Sequence, residues 1–126
     1  MSETEMPMVD LLLAAKDKVA AGWCQGHRAE TSDGLYCWSD QSGEHFLPPW
    51  DAQATKWCTI GAVEAIQGRY YGRAFDFVNK YLKAHGYTTG YLAFNDSRNQ
   101  TQERVIDMFD EMIAYVKDTQ YAADFT

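Results

Sequence analysis

Three cysteines and three histidines are the first candidates for nucleophilic or metal chemistry in this chain of 126 residues. Cys58 stands in the stretch Lys-Trp-Cys-Thr-Ile-Gly-Ala-Val-Glu-Ala-Ile-Gln-Gly, residues 56–68. A catalytic cysteine must hold its thiolate near neutral pH, which takes a helix N-terminus or a neighbouring histidine. A helix capped by Asp51 would put Cys58 in its second turn, where the dipole has largely faded. A cap at Thr55 would put it in the first turn and strengthen the case. Free cysteine is among the most buried residue types, so the role expected of Cys58 is small filler beneath an approaching chain.

Cys24 and His27 have a C-x2-H spacing, and Cys37 and His45 follow. Four such ligands could hold a structural zinc and order the loop that contains them. The second pair is irregularly spaced, so the expectation is no metal and no cofactor. Asn95-Asp96 precedes a helical stretch, where short polar side chains cap helices or close turns. Asp96 could also accept the indole N–H of Trp23 or Trp57, which a buried tryptophan requires. Alternatively Asn95 and Asp96 form the polar end of a small pocket walled by Trp57 and Cys58.

The elements that must position these residues read as helices. The first spans about residues 7–21, with Pro7 at its start and Gly22 just past its end. Met8, Leu12, Ala15 and Val19 share one face, with Leu11 beside them. From Gly22 to Trp50 the helical period is lost. Ser32-Asp33-Gly34 signals a turn, and Leu35 to Trp38 reads as a short strand paired with the segment before it. A second helix is expected over about residues 52–67. Ala54, Trp57, Cys58, Gly61 and Ala65 lie on one side of it and Ile60, Val63 and Ile66 on the other. Apolar or small residues on both flanks make this the central helix, and Gly68 stops it.

A third helix is expected over about residues 71–85. Residues 91–94 read as a short buried extended run. The last helix, capped by Asn99 or Thr101, runs to about residue 119. Its apolar face is Val105, Ile106, Phe109, Met112, Ile113 and Val116. Its opposite face carries Glu103, Asp107, Asp110, Glu111 and Asp118.

Three motifs come in order along the chain: Gly22-Trp-Cys-Gln-Gly26, Trp57-Cys-Thr-Ile-Gly-Ala-Val63, and Phe94-Asn-Asp-Ser-Arg-Asn-Gln-Thr101. They resemble a family of small bacterial and phage domains of uncharacterised function. That family shows Gly-Trp-x-Gln-Gly, then Trp-Cys-x-x-Gly-Ala, then Trp-Asn-Asp with a threonine before a final helix. Phe94 stands where the family usually shows tryptophan, and residues 28–50 are peculiar to this chain. The resemblance implies a mostly helical fold and brings no activity with it. It points to Trp23, Gln25, Trp57, Cys58, Gly61, Asn95, Asp96 and Thr101 as framework. All of these but Gly61 form the candidate pocket. His27, His45 and His85 lie outside the motifs, so these offer Cys58 no base.

The formal charge of −7 repels phosphate backbones and anionic membrane surfaces, so neither nucleic acid nor membrane is an expected partner. The first residues lack a basic segment followed by an apolar run, which argues against a secretory signal. With no such signal, the cysteines read as reduced thiols in a cytoplasm. No phosphate-binding glycine loop, zinc-protease or nucleophile-elbow motif is present.

The expected fold is one mainly all-α domain over residues 1–126. About four helices surround a central buried helix, and an irregular or small β-hairpin insertion separates the first two. The expected function is a small acidic cytoplasmic interaction module without catalytic activity. Its acidic face would meet a basic protein partner, as a phage-encoded inhibitor of a host protein would. The alternative is a small-molecule-binding or thiol-dependent enzymatic module centred on Cys58.

Overall fold

A computed structural model describes residues 6–32, 36–37 and 48–119. Among them are five helices and three short strands, in the order α1 (Met8–Ala21), β1 (Ala29–Thr31), β2 (Tyr36–Cys37), β3 (Ala54–Trp57), α2 (Thr59–Gln67), α3 (Arg73–Ala84), α4 (Tyr91–Asn95) and α5 (Gln102–Thr119). The fold is mainly helical, as the periodicity predicts. The insertion between the first two helices carries the expected hairpin: β1 and β2 pair antiparallel, Ala29 opposite Cys37 and Glu30 opposite Tyr36. Trp38 lies outside the described residues.

The second helix departs from expectation. Ala54–Trp57 is a strand, and it completes a sheet of order β2-β1-β3. Ala29 faces Trp57, Glu30 faces Lys56 and Thr31 faces Ala54, with an irregularity between Glu30 and Thr31. Helical spacing within residues 54–57 is met by chance in so short a run, while Thr55 and Trp57 suit a half-buried strand. Asp51 does not cap a helix. Its side chain accepts the Gln53 N–H at 2.8 Å and its carbonyl accepts the Ala54 N–H at 3.1 Å, which makes a tight turn leading into β3.

From Thr59 onward the central helix is as expected. Every residue from Thr59 to Glu64 is buried, and α2 packs against α1, α3 and α4. Gly68 ends it in the left-handed conformation, at φ 74°. The segment from Tyr91, expected to be extended, is the short helix α4. A four-residue apolar run does not distinguish strand from helix by period, and Gly90 at φ 67° turns the chain into the helical start.

Met8, Leu11, Leu12, Ala15 and Val19 of α1 meet Val105, Phe109, Met112, Ile113 and Val116 of α5 in one hydrophobic cluster with α2. Phe77, Phe109, Met8 and Leu12 are its largest fully buried side chains. Burying each stabilises the fold by about 1.5–3 kcal/mol relative to leaving it in water. Thr101 Oγ1 accepts the Arg104 N–H at 3.2 Å and caps α5. Gln102 reaches back to the Val19 carbonyl at 2.7 Å, so the start of α5 is tied to the end of α1.

Candidate functional site

The turn from strand β3 into helix α2 leaves only Cys58 between them. Its extended backbone suits a helix cap, and its sulfur accepts the Gly61 N–H at 3.2 Å. The cap is therefore Cys58 itself, and neither Asp51 nor Thr55. Two effects then compete at the thiol. The helix start and the Gly61 N–H favour a thiolate, while burial opposes it. Burial wins: Cys58 is 4 % exposed and its thiol is pushed up to about 12.

Over this turn lies the segment that follows α1. Trp23 forms a parallel bridge with Trp57. Trp57 N–H donates to the Gly22 carbonyl at 3.0 Å, and Cys24 N–H donates to the Trp57 carbonyl at 3.3 Å. Further along, the Arg28 carbonyl accepts the Cys58 N–H at 3.0 Å. That approach needs glycine at position 61, where a Cβ would stand 1.8 Å from the Arg28 carbonyl oxygen. The small stripe expected along this helix thus has a stated purpose at Gly61.

Asn95, at the end of α4, joins the parts. It is 1 % exposed, and its Oδ1 accepts from the Trp23 indole at 2.9 Å, the Thr59 N–H at 2.8 Å and the Thr59 hydroxyl at 2.6 Å. Its Nδ2 donates to the Cys24 carbonyl at 3.1 Å and to Asp96 Oδ1 at 3.0 Å. Gln25 Nε2 donates to the carbonyls of Asn95 and Ser97, at 2.9 and 3.1 Å. Asp96 Oδ1 also accepts the Gly26 N–H at 3.1 Å. The indole acceptor for Trp23 is thus Asn95 rather than Asp96, and the Trp57 indole donates to the Pro49 carbonyl at 2.8 Å.

A buried ion pair lies behind this network. Arg28 is 7 % exposed and Glu64 is fully buried, and Arg28 Nη1 donates to Glu64 Oε1. Glu64 Oε2 accepts the Tyr71 N–H at 2.9 Å. Tyr71 sits at φ 60°, a left-handed conformation costly for a non-glycine residue. The guanidinium carbon lies 5.4, 5.5 and 5.8 Å from the ring centres of Tyr70, Tyr71 and Tyr91. Burial lowers the Arg28 pKa, but the Glu64 carboxylate outweighs it and holds the guanidinium charge more firmly than usual.

In front of the pair opens a cleft of about 250 Å³, bordered by Gly26, His27 and Arg28, by Cys58, and by Tyr91, Leu92, Asn95 and Asp96. Of the candidate pocket residues, Cys58, Asn95 and Asp96 border it. Trp23 and Gln25 stand behind, holding Asn95. Trp57 lies under Lys18, whose ammonium is 4.6 Å from the ring centre, and Thr101 caps α5; neither borders the cleft.

Arg28, Glu64, Tyr91 and Leu92 were not singled out from the sequence as site residues. Glu64 carries a signal, being an acid within an otherwise apolar helix. Arg28 sits in the irregular stretch, where no period marks it.

Of the four candidate zinc ligands, the side chains of Cys24 and His27 are described. Cys24 Sγ faces the His27 carbonyl at 3.7 Å, and His27 Nε2 lies 3.0 Å from Glu30 Oε2. Neither the Cys37 side chain nor His45 is among the described groups. Within those groups, no three acidic, cysteine or histidine side chains are placed to hold a metal. The acidic face of α5 is exposed at Glu103, Asp107, Asp110, Glu111 and Asp118, and Asp110 pairs with Lys16 at 2.6 Å. No helix of the described residues is long and apolar enough to cross a membrane.

No curated protein and no solved structure matches this chain. Its residues 3–115 match the family of unknown function DUF6197, a span that takes in the whole Asn95 network and both sides of the cleft. The protein therefore belongs to the family of unknown function DUF6197.

Proposed function

We propose that this protein is a non-catalytic binding module whose ligand enters the cleft between residues 26–28 and helix α4. The observation that carries this reading is Arg28: a guanidinium 7 % exposed, ringed by tyrosines, borders an open cleft. A few fixed polar groups on an apolar wall are the usual make-up of a small-ligand site. Thiol catalysis at the same place is disfavoured. The Cys58 sulfur is engaged as a helix cap, and its thiol, pushed up to about 12, holds almost no thiolate near neutral pH.

The test is a titration of the isotope-labelled protein with a library of small neutral and charged fragments, followed by amide resonances. Binding in the cleft predicts shifts concentrated at Gly26, Leu92 and Asp96. Shifts scattered over the surface, or none, would contradict it.

A second reading rests on the outer face of α5. Asp107 and Glu111 border a shallow groove together with Tyr87 and Arg104. Carboxylates beside a half-buried ring suit a basic protein partner, the target that a phage-encoded inhibitor in a host cytoplasm would meet. Capture of such a partner at low salt, lost as salt rises and lost in an Asp107→Asn, Glu111→Gln variant, supports this reading. Capture unaffected by both changes contradicts it.

A further inference from the structure

We propose that the cleft ligand is a small zwitterion with amino-acid chemistry, its carboxylate on Arg28 and its ammonium on Asp96. The inference rests on the cleft reading above and goes further, to the class of ligand.

Arg28 supplies the first half. A guanidinium has five N–H donors. Among the described residues its hydrogen-bond partners are Glu64, through Nη1, and the Tyr91 hydroxyl, 3.4 Å from Nη2. Among the described residues three of the five donors have no hydrogen-bond partner, and Arg28 borders the cleft; the planar fork of a guanidinium suits a carboxylate. The buried charge is already balanced by Glu64, so the site does not depend on a ligand to be stable.

Asp96 supplies the second half. Both of its hydrogen bonds, from Gly26 N–H and Asn95 Nδ2, fall on Oδ1. Oδ2 has no hydrogen bond among the described residues, and Asp96 is exposed and borders the cleft. An ammonium there would meet a carboxylate held in place from two directions. A simple anion would have Arg28 but also the field of Asp96, Glu64 and an acidic chain against it. A simple cation would leave the open Arg28 donors without an acceptor. A ligand carrying both charges satisfies both. Tyr91 and Leu92, the latter 51 % exposed, offer apolar surface for the ligand's frame. A cleft of about 250 Å³ is below the usual range for drug-sized ligands, which favours a compact molecule.

The experiment is calorimetric titration of the full chain with the standard amino acids, and with β-alanine and γ-aminobutyrate to vary the charge separation. Any that binds is compared with its N-acetyl and its carboxamide forms, each lacking one charge. The expected result is binding of at least one zwitterion, weakened about tenfold or more by blocking either charge. Asp96→Asn should bring the affinity for the zwitterion down to that for its N-acetyl form and leave the N-acetyl form unaffected. Equal binding of the blocked forms, or no zwitterion binding while neutral fragments still shift the cleft amides, overturns the inference and leaves the cleft reading standing. If neither zwitterions nor fragments bind, both fall.

Discussion

The carboxamide oxygen of Asn95 accepts the backbone N–H of Thr59 at 2.8 Å, across 36 residues of chain. That contact locks the end of α4 onto the first turn of α2. The same oxygen takes the Trp23 indole, so three separate segments meet on one buried atom.

Replacing Asn95 with alanine strips partners from the Thr59 N–H, the Thr59 hydroxyl, the Trp23 indole and the Cys24 carbonyl. Each unsatisfied buried group costs about 1–3 kcal/mol. Asn95→Ala should therefore destabilise by roughly 3 kcal/mol or more in urea denaturation. Asn95→Asp keeps the acceptor but loses the donor, and near neutral pH it buries a carboxylate. It should also be destabilising, less so at acid pH. A loss under about 1 kcal/mol for the alanine variant would show that the network does not hold the fold.

Gly61→Ala tests the close approach of the Arg28 carbonyl. The added Cβ would stand 1.8 Å from that oxygen, so the 22–28 segment must move. The usual helix gain of Ala over Gly, about 1 kcal/mol, is expected to be overwhelmed. The variant should lose stability, and the amide shifts of Gly26 to Ala29 should change most. A gain in stability would contradict the packing.

Glu64→Ala leaves the Arg28 guanidinium buried without its carboxylate. Losing one partner of such a pair costs about 3–5 kcal/mol, although the intact pair itself adds little over apolar packing. Glu64→Gln, which keeps an acceptor, should cost less. Denaturation curves that rank glutamine below alanine in stability would refute the assignment.

Much of this frame was legible in the sequence. Apolar spacing gave α1, α3 and α5 to within a residue or two, because long amphipathic helices repeat their pattern often enough to be unambiguous. The second helix begins later than its spacing predicts, since Ala54 to Trp57 satisfies both a helical and a strand pattern and only the pairing with Ala29 decides. The run at Tyr91 forms a helix where an extended segment is expected, because it is too short to have a period. The resemblance drew attention to Asn95, Trp23 and Gln25, which the structure joins by hydrogen bonds. It gave no hint of Arg28, because a buried arginine in an irregular segment is recognisable only from its partner Glu64, 36 residues away.

Stability should fall on the alkaline side. Below pH 9 the Cys58 thiol is protonated in the folded and unfolded chains alike and has no influence. Above pH 9 the unfolded thiol ionises, while the folded one keeps its proton until about 12. The folded state then binds more protons, so stability drops as pH rises, by up to about 1.4 kcal/mol per pH unit for this group. Burial also pushes the Cys24 thiol up and adds to the slope. Denaturation midpoints between pH 8 and pH 11 should fall less steeply in Cys58→Ala than in the parent chain. Equal slopes would mean that the thiol is not held protonated by the fold.

The sulfur at the head of α2 accepts the Gly61 N–H and caps the helix, and we propose that the cleft before it binds rather than reacts. Alkylation of the native chain by iodoacetamide at pH 7, followed by mass spectrometry of the peptide containing Cys58, reads the state of this sulfur. A thiol titrating near 12 holds a thiolate fraction on the order of 10⁻⁵ at that pH, against a few per cent for an ordinary one. Labelling of the native chain should be at least about 100-fold slower than that of the denatured chain. Labelling of the native protein as fast as the denatured chain, or faster, would contradict it.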